Sequence, residues 1–204
     1  MRKSMLTLSV AAALSAPLLA VAETPSPVTG NMSIVSDYRF RGISQTYLGP
    51  AIQGGIDYSH PSGIYLGNWN SSVSSNVFTG GSGIEMDFYG GWKTTFGDIG
   101  LDLGTIYYYY HNAEFAGADF DNWELYVGAS WKWLSAKFFY ALTDYFGLAD
   151  EQANGYWCNR GTDPCTPLGG RGGSDGTWYL DLSFTYPLSK QLSIVAHYGM
   201  LEVE

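Results

Sequence analysis

Between Asn122 and Thr143 apolar and polar residues alternate almost without a break. Trp123, Leu125, Val127, Ala129 and Trp131 share one side, continued by Leu134, Ala136, Phe138, Tyr140 and Leu142. The other side carries Asn122, Glu124, Tyr126, Gly128, Ser130 and Lys132, then Ser135, Lys137, Phe139, Ala141 and Thr143. A period of two over two runs that meet at Trp133 predicts a β-hairpin with one greasy, uncharged face and one wet face.

The same period recurs along the chain. Met32, Ile34, Tyr38 and Phe40 oppose Ser33, Val35, Asp37 and Arg39, and Ile52, Gly54, Ile56 and Tyr58 oppose Gln53, Gly55, Asp57 and Ser59. Ile84, Met86, Phe88, Gly90 and Trp92 oppose Glu85, Asp87, Tyr89 and Lys93. Leu101, Leu103, Thr105, Tyr107 and Tyr109 oppose Asp98, Asp102 and Tyr108. Near the end, Trp178, Leu180, Leu182, Phe184 and Tyr186 oppose Tyr179, Asp181 and Thr185, then Leu192, Ile194, Ala196 and Tyr198 oppose Ser193 and His197. Only 63–73 does not sort cleanly, because Ile64, Tyr65, Leu66 and Trp69 do not share a face. These are nine candidate strands, and in eight of the nine the apolar side carries no charge.

The connections alternate in length. Those at 60–62, 95–97, 133 and 187–191 are tight, whereas 42–50, 74–83, 112–121 and 145–176 are long. Outer-membrane barrels sort their loops in this way, with short periplasmic turns and long outer loops. The expected fold is all-β, an antiparallel up-and-down transmembrane β-barrel. Its N-terminus is expected on the periplasmic side and the longest loop outside. A soluble lipocalin-like barrel has the same period with the apolar side turned inward, and is the alternative that alternation alone leaves open.

Aromatic placement favours the membrane. Tyr38, Tyr109, Trp123, Tyr140 and Trp178, with Phe40, fall near the long-loop ends, and Tyr58, Trp92, Trp131 and Tyr186 near the short turns. Two such belts are expected where amphipathic rings sit at the two headgroup layers. The opposite face is then expected to line a lumen. Its outer half holds Arg39, Glu85, Asp87, Glu124 and Asp181, and its inner half Asp57, Lys93, Asp98, Asp102, Lys132 and Lys137. Lumenal charges of this kind either set ion preference or pair and plug a narrow barrel. Arg39 and Arg41 are expected to pair with Asp37 and Glu85 rather than bind lipopolysaccharide phosphate.

Composition agrees with a strand-rich exported protein. Aromatic residues make up 16% of the chain, charged residues only 14%, and there are 26 glycines. Arg2 and Lys3, an apolar stretch from Met5 to Leu19 and an Ala20-Val21-Ala22 site read as a signal peptide over 1–22. Residues 23–30, with two prolines, read as a disordered leader, and 31–204 as one barrel domain. No later apolar run is long enough for a transmembrane helix, and a membrane-spanning sheet must close to satisfy its backbone. The net charge of −9 makes nucleic acid an unlikely partner.

Little else in the chain carries chemistry. His60, His111 and His197 are not spaced as metal ligands, and no nucleophile elbow or triad order is present, so neither a metal, a cofactor nor an enzymatic activity is expected. Cys158 and Cys165 share the longest loop of an exported chain, which predicts a loop-closing disulfide.

One segment is more specific. Ser36-Asp37-Tyr38-Arg39-Phe40-Arg41-Gly42-Ile43-Ser44-Gln45, then Pro50-Ala51-Ile52-Gln53-Gly54-Gly55 and Gly67-Asn68-Trp69, resembles the signature of the TorF family, a proteobacterial conserved hypothetical family classed as porins largely on fold-type analogy. The resemblance extends over most of the mature chain, including Glu85-Met86-Asp87 and Tyr89-Gly90-Gly91. It implies an outer-membrane barrel of a Gram-negative bacterium, in contact with lipid and lipopolysaccharide, that passes small solutes. Such barrels usually hold an even number of strands and finish on an aromatic residue, whereas this chain stops at Glu204, so a full-length form of about 10–12 strands is expected. The function expected is a narrow diffusion channel with weak cation preference. The alternatives are a plugged barrel that binds through its outer loops and a soluble periplasmic ligand-binding barrel.

Overall fold

The computed structural model describes residues 26–78, 81, 83–115, 118–147 and 173–204. The predicted signal peptide and the Cys158–Cys165 pair lie outside the described residues. Thirteen strands follow in chain order: β1 (Val28–Val35), β2 (Arg39–Phe40), β3 (Ile43–Ser44), β4 (Ala51–Ser59), β5 (Ile64–Ser72), β6 (Ile84–Phe96), β7 (Ile99–Tyr110), β8 (Glu114–Phe115), β9 (Ala118–Asp119), β10 (Asn122–Trp131), β11 (Leu134–Ala141), β12 (Trp178–Pro187) and β13 (Ser193–Glu202).

Nine of them form one sheet in the order β1-β4-β5-β6-β7-β10-β11-β12-β13. Every neighbouring pair is antiparallel, so the sheet is a simple meander in sequence order. β2 with β3 and β8 with β9 are two small hairpins on its loops. Among the described residues the sheet is not closed: β1 and β13 stand at its two ends. No helix among the described residues is long and apolar enough to cross a membrane, which leaves crossing by strands untouched.

The tight turn of the central hairpin shows how local chemistry sets the register. Trp131 pairs with Leu134, leaving Lys132 and Trp133 between them, and Lys132 adopts φ 52°. A two-residue hairpin needs positive φ in its turn to match the twist of the strands. That register then directs every alternate side chain of β10 and β11 to a set face.

The apolar face is the exposed one. Val127 is 48% exposed at the centre of β10, while its neighbour Tyr126 is 9% exposed. Ile52, Ile56, Leu66, Phe88, Leu103 and Leu125 are exposed in the same way on neighbouring strands. A soluble protein rarely shows a contiguous apolar patch above a few hundred Å².

The buried face is polar and aromatic, and the sheet curves around it. Tyr65 on β5 reaches Asp102 on β7 at 2.6 Å and also hydrogen-bonds the Tyr126 hydroxyl on β10, contacts a flat sheet does not allow across that many strands. Tyr89 and Tyr126 lie over Gly67 and Gly104, where a Cβ has no room against the ring. Glycines on the inner face thus let rings lie flat and fill the hollow.

Four expectations change. Val28, Thr29 and Gly30 are not leader but strand, paired with Tyr58, Asp57 and Ile56, because the ladder to β4 continues past Asn31. The first strand ends at Val35, so Tyr38 and Phe40 leave the exposed face and fold into the hollow. Lys132 sits in the turn over the Trp131 ring at 4.8 Å and faces no lumen. Arg39 lies exposed at the rim, paired with Asp37 at 2.7 Å. The other belt aromatics, Tyr58, Trp92, Tyr109, Trp123, Trp131, Tyr140, Trp178 and Tyr186, are exposed or half-buried. The indistinct strand β5 also resolves: Tyr65 and Trp69 point inward, Ile64 and Leu66 outward.

Candidate functional site: an acidic cluster under an inward loop

The long-loop end of the hollow is built on one row of the sheet. Asp87 on β6 pairs with Tyr108 on β7, which pairs with Asn122 on β10, so three inward side chains stand side by side. Glu85 lies two residues along β6 and Glu124 two residues along β10, and the period of two keeps both on the same face. Glu85 and Asn122 are 0% exposed, Glu124 1% and Asp87 5%. The sequence pattern placed Glu85, Asp87 and Glu124 on one face, and the structure brings them into one cluster.

Residues between β1 and β4 cover this cluster. Asp37 anchors the loop, accepting from Ser44 Oγ at 2.5 Å, Thr46 Oγ1 at 3.2 Å and Arg39 Nε at 2.7 Å. The Ser44 hydrogen bond, with smaller help from Arg39 and Thr46, outweighs partial desolvation and holds the Asp37 carboxyl below the usual range. The hairpin it braces turns at Arg41 and Gly42, with φ 47° and 84°. Glycine accepts that conformation freely, but an arginine there costs about 1 kcal/mol. Arg41 holds the strained position because its side chain is committed below.

Arg41 descends into the hollow and meets Glu124 with two parallel hydrogen bonds of 2.7 Å each. It also donates to the Tyr145 hydroxyl at 2.8 Å. Its guanidinium lies 4.4 Å from the Tyr179 ring centre, 4.7 Å from Phe40 and 5.1 Å from Phe139. Planar, delocalised charge suits both the carboxylate fork and the aromatic faces. Tyr38 donates to Glu85 at 2.7 Å, and Tyr110 to the other carboxylate oxygen at 2.7 Å. Asn122 and Tyr108 complete the Glu124 shell at 3.2 and 3.4 Å. Among the described residues, Asp87 Oδ1 and Asn122 Oδ1 are buried without a protein partner. Phe40, Phe146, Phe78, Tyr108 and Tyr110 pack ring against ring above this layer.

The short-turn half is more open. A cavity of about 530 Å³ is lined by Lys93, Asp102, Ser130, Lys137, Phe139 and Asp181 among others. Lys137 pairs with Asp102 at 2.8 Å and stands over the Tyr126 ring. Lys93 lies 4.3 Å from the Tyr65 ring centre, Asp57 accepts from Tyr89, and Asp181 is shared by Ser183 and His197. The short-turn half of the inner face thus carries spaced charged pairs beside an open cavity, and the long-loop half carries the buried layer of Arg41, Glu124, Glu85 and Asp87. Among the described residues no group of three His, Cys, Asp or Glu is arranged to hold a metal ion.

From the sequence Arg39 was expected as the lumenal counter-charge, with Arg39 and Arg41 paired to Asp37 and Glu85; the Arg39–Asp37 pair is present, but at the exposed rim. The structure gives the lumenal place to Arg41, with Glu124 as its partner, because Arg41 occupies the hairpin tip and Arg39 its solvent side. An Arg-Gly pair between two short runs is a turn signal that could have identified the tip. Tyr145 and Tyr179 were not legible as partners, since one approaches Arg41 from the turn after β11 and the other from β12, both far along the chain.

A search of the curated proteins found no match. A family model does match, over residues 19–204. This chain belongs to that family, which is described as a bacterial protein of unknown function (Gcw_chp).

Proposed function

We propose that this protein is an outer-membrane β-barrel acting as a narrow diffusion channel for small solutes or ions, with a weak preference for cations. What carries the reading is the division of the sheet: an exposed face that is apolar and edged with aromatic rings, and an inner face that holds Glu85, Asp87, Glu124, Asp57, Asp102 and Asp181 against Arg41, Lys93 and Lys137. An apolar exterior is at its lowest free energy in lipid, and an acidic interior raises the local concentration of small cations. A bilayer requires the strands to close, so β1 and β13 join in this reading, directly or through further strands. Export by the 1–22 signal peptide, contact with lipopolysaccharide and a Cys158–Cys165 staple on the outer loop belong to the same proposal.

The test is single-channel recording of the refolded protein in a planar bilayer under a salt gradient. Discrete steps with a cation-selective reversal potential are expected, and in the pair Asp57→Asn, Asp181→Asn, which neutralises carboxylates in the more open short-turn half, that potential moves toward zero. A folded, inserted protein that stays silent, and remains silent when Arg41 is replaced, refutes the channel.

A second reading, a plugged barrel whose outer loops bind a partner, is favoured by one observation. Arg41 and the ring cluster of Phe40, Phe78 and Phe146 fill the outer half of the hollow. Silence that persists after Arg41 is replaced selects this reading over a channel that opens when the loop moves.

A further inference from the structure

β5 breaks the rule that its neighbours keep. Its inward residues are Tyr65, Gly67, Trp69 and Ser71, so Ile64, Leu66, Asn68, Asn70 and Ser72 lie on the exposed face. Asn68 stands between Ile56 and Phe88, and Asn70 between Gly54 and Met86. Two carboxamides thus occupy the middle of an otherwise apolar surface.

The amides are only partly satisfied within the chain. Asn70 Nδ2 donates to Asn68 Oδ1 at 2.6 Å and to the Gly54 carbonyl at 3.4 Å, and Asn68 Nδ2 donates to the Asp87 carbonyl at 3.0 Å. Among the described residues no donor meets Asn70 Oδ1, and the Asn68 amide has a second N–H to place. Lipid chains offer neither donor nor acceptor, and an unmet polar group there costs several kcal/mol.

Resting on the outer-membrane reading above, we propose that this patch is an interface with a second copy of the same chain. A carboxamide is donor and acceptor at once, so a surface centred on two of them is complementary to itself across a two-fold axis, which is what an isologous dimer requires. The uncommitted N–H of Asn68 in each copy then donates to Asn70 Oδ1 of the other. Gly54 beside Asn70 has no side chain to hold the copies apart. The surrounding Met32, Ile34, Ile52, Ile56 and Leu66 are 60–81% exposed and supply the contact area. Small residues and interchain amide hydrogen bonds are the means of association left where water gives no hydrophobic drive.

The experiment is sedimentation equilibrium of the full chain in density-matched detergent, with the heat-shifted electrophoretic band as the measure of folding. A reversible dimer is expected. The double substitution Asn68→Leu, Asn70→Leu should raise its dissociation constant by about tenfold or more while the folded band stays. Ile56→Trp, which adds bulk beside the patch and removes no hydrogen bond, should weaken the dimer as well. A folded, detergent-requiring protein that is monomeric at every concentration, or a double variant that dimerises as tightly as the original, overturns the interface and leaves the barrel reading standing. Release from cells without detergent overturns both.

Discussion

Arg41 and Glu124, 83 residues apart in the chain, face each other through two hydrogen bonds of 2.7 Å in the long-loop half of the hollow. Their side chains are only 5% and 1% exposed. A fully desolvated pair of this kind is worth little against an apolar replacement but a great deal against the loss of one partner. It therefore fixes where the loop rests more than how stable the sheet is.

Glu124→Leu should leave Arg41 buried without its counter-charge and lower stability by about 3 kcal/mol. Arg41→Leu alone should do the same to Glu124. The double variant Arg41→Leu, Glu124→Leu should recover most of the loss. Urea unfolding of the three proteins in lipid vesicles gives the coupling directly, and additive losses refute it.

Val127 tests the orientation of the sheet. It lies near the middle of β10 on the exposed face. With that face in lipid, Val127→Arg should cost about 2–4 kcal/mol at the bilayer midplane. Unchanged unfolding in vesicles places the face in water instead.

Asp37 gives the loop a pH dependence. Its carboxyl titrates below the ordinary value of 3.8, chiefly because Ser44 donates to the ionised form. The anchoring is therefore complete above that ordinary value and is lost as pH falls through the lowered one. Conductance, or the fluorescence of Trp69 against Tyr38, should report loop release only in that acid window. Asp37→Asn should abolish the pH step and show the released state at neutral pH.

The Cys158–Cys165 pair is checked by mass. Unreduced mature protein should show no thiol open to alkylation, and reduction should add two labels. Labelling of both cysteines without reduction refutes the bridge.

Much of this was legible along the chain because a sheet transmits its period straight into the sequence. Alternation in 122–143 alone set which residues of β10 and β11 share a face, and the tight turns set the meander. Glu85, Asp87 and Glu124 could be placed on one side in the same way. What alternation could not say was where the period stops. Val35 to Tyr38 continues the pattern on paper, yet the chain turns inward there, since Tyr38 gains a carboxylate and the Trp69 ring, whose centre lies 5.4 Å from its own. Conversely, Val28 to Gly30 show no pattern but still pair, because a ladder needs only backbone.

The sequence by itself determined that nine strands pair in chain order and the chemistry of most of their faces, which follow from neighbours one or two residues apart, but not the ends of β1 or the faces of β5. Only the tertiary structure decided that Arg41 rather than Arg39 enters the hollow and that its partner is Glu124. It also set Asn68 and Asn70 outward among apolar neighbours. Those outcomes depend on curvature, which brings β5, β10 and β12 around one loop, and curvature is a property of the whole sheet that no local period encodes.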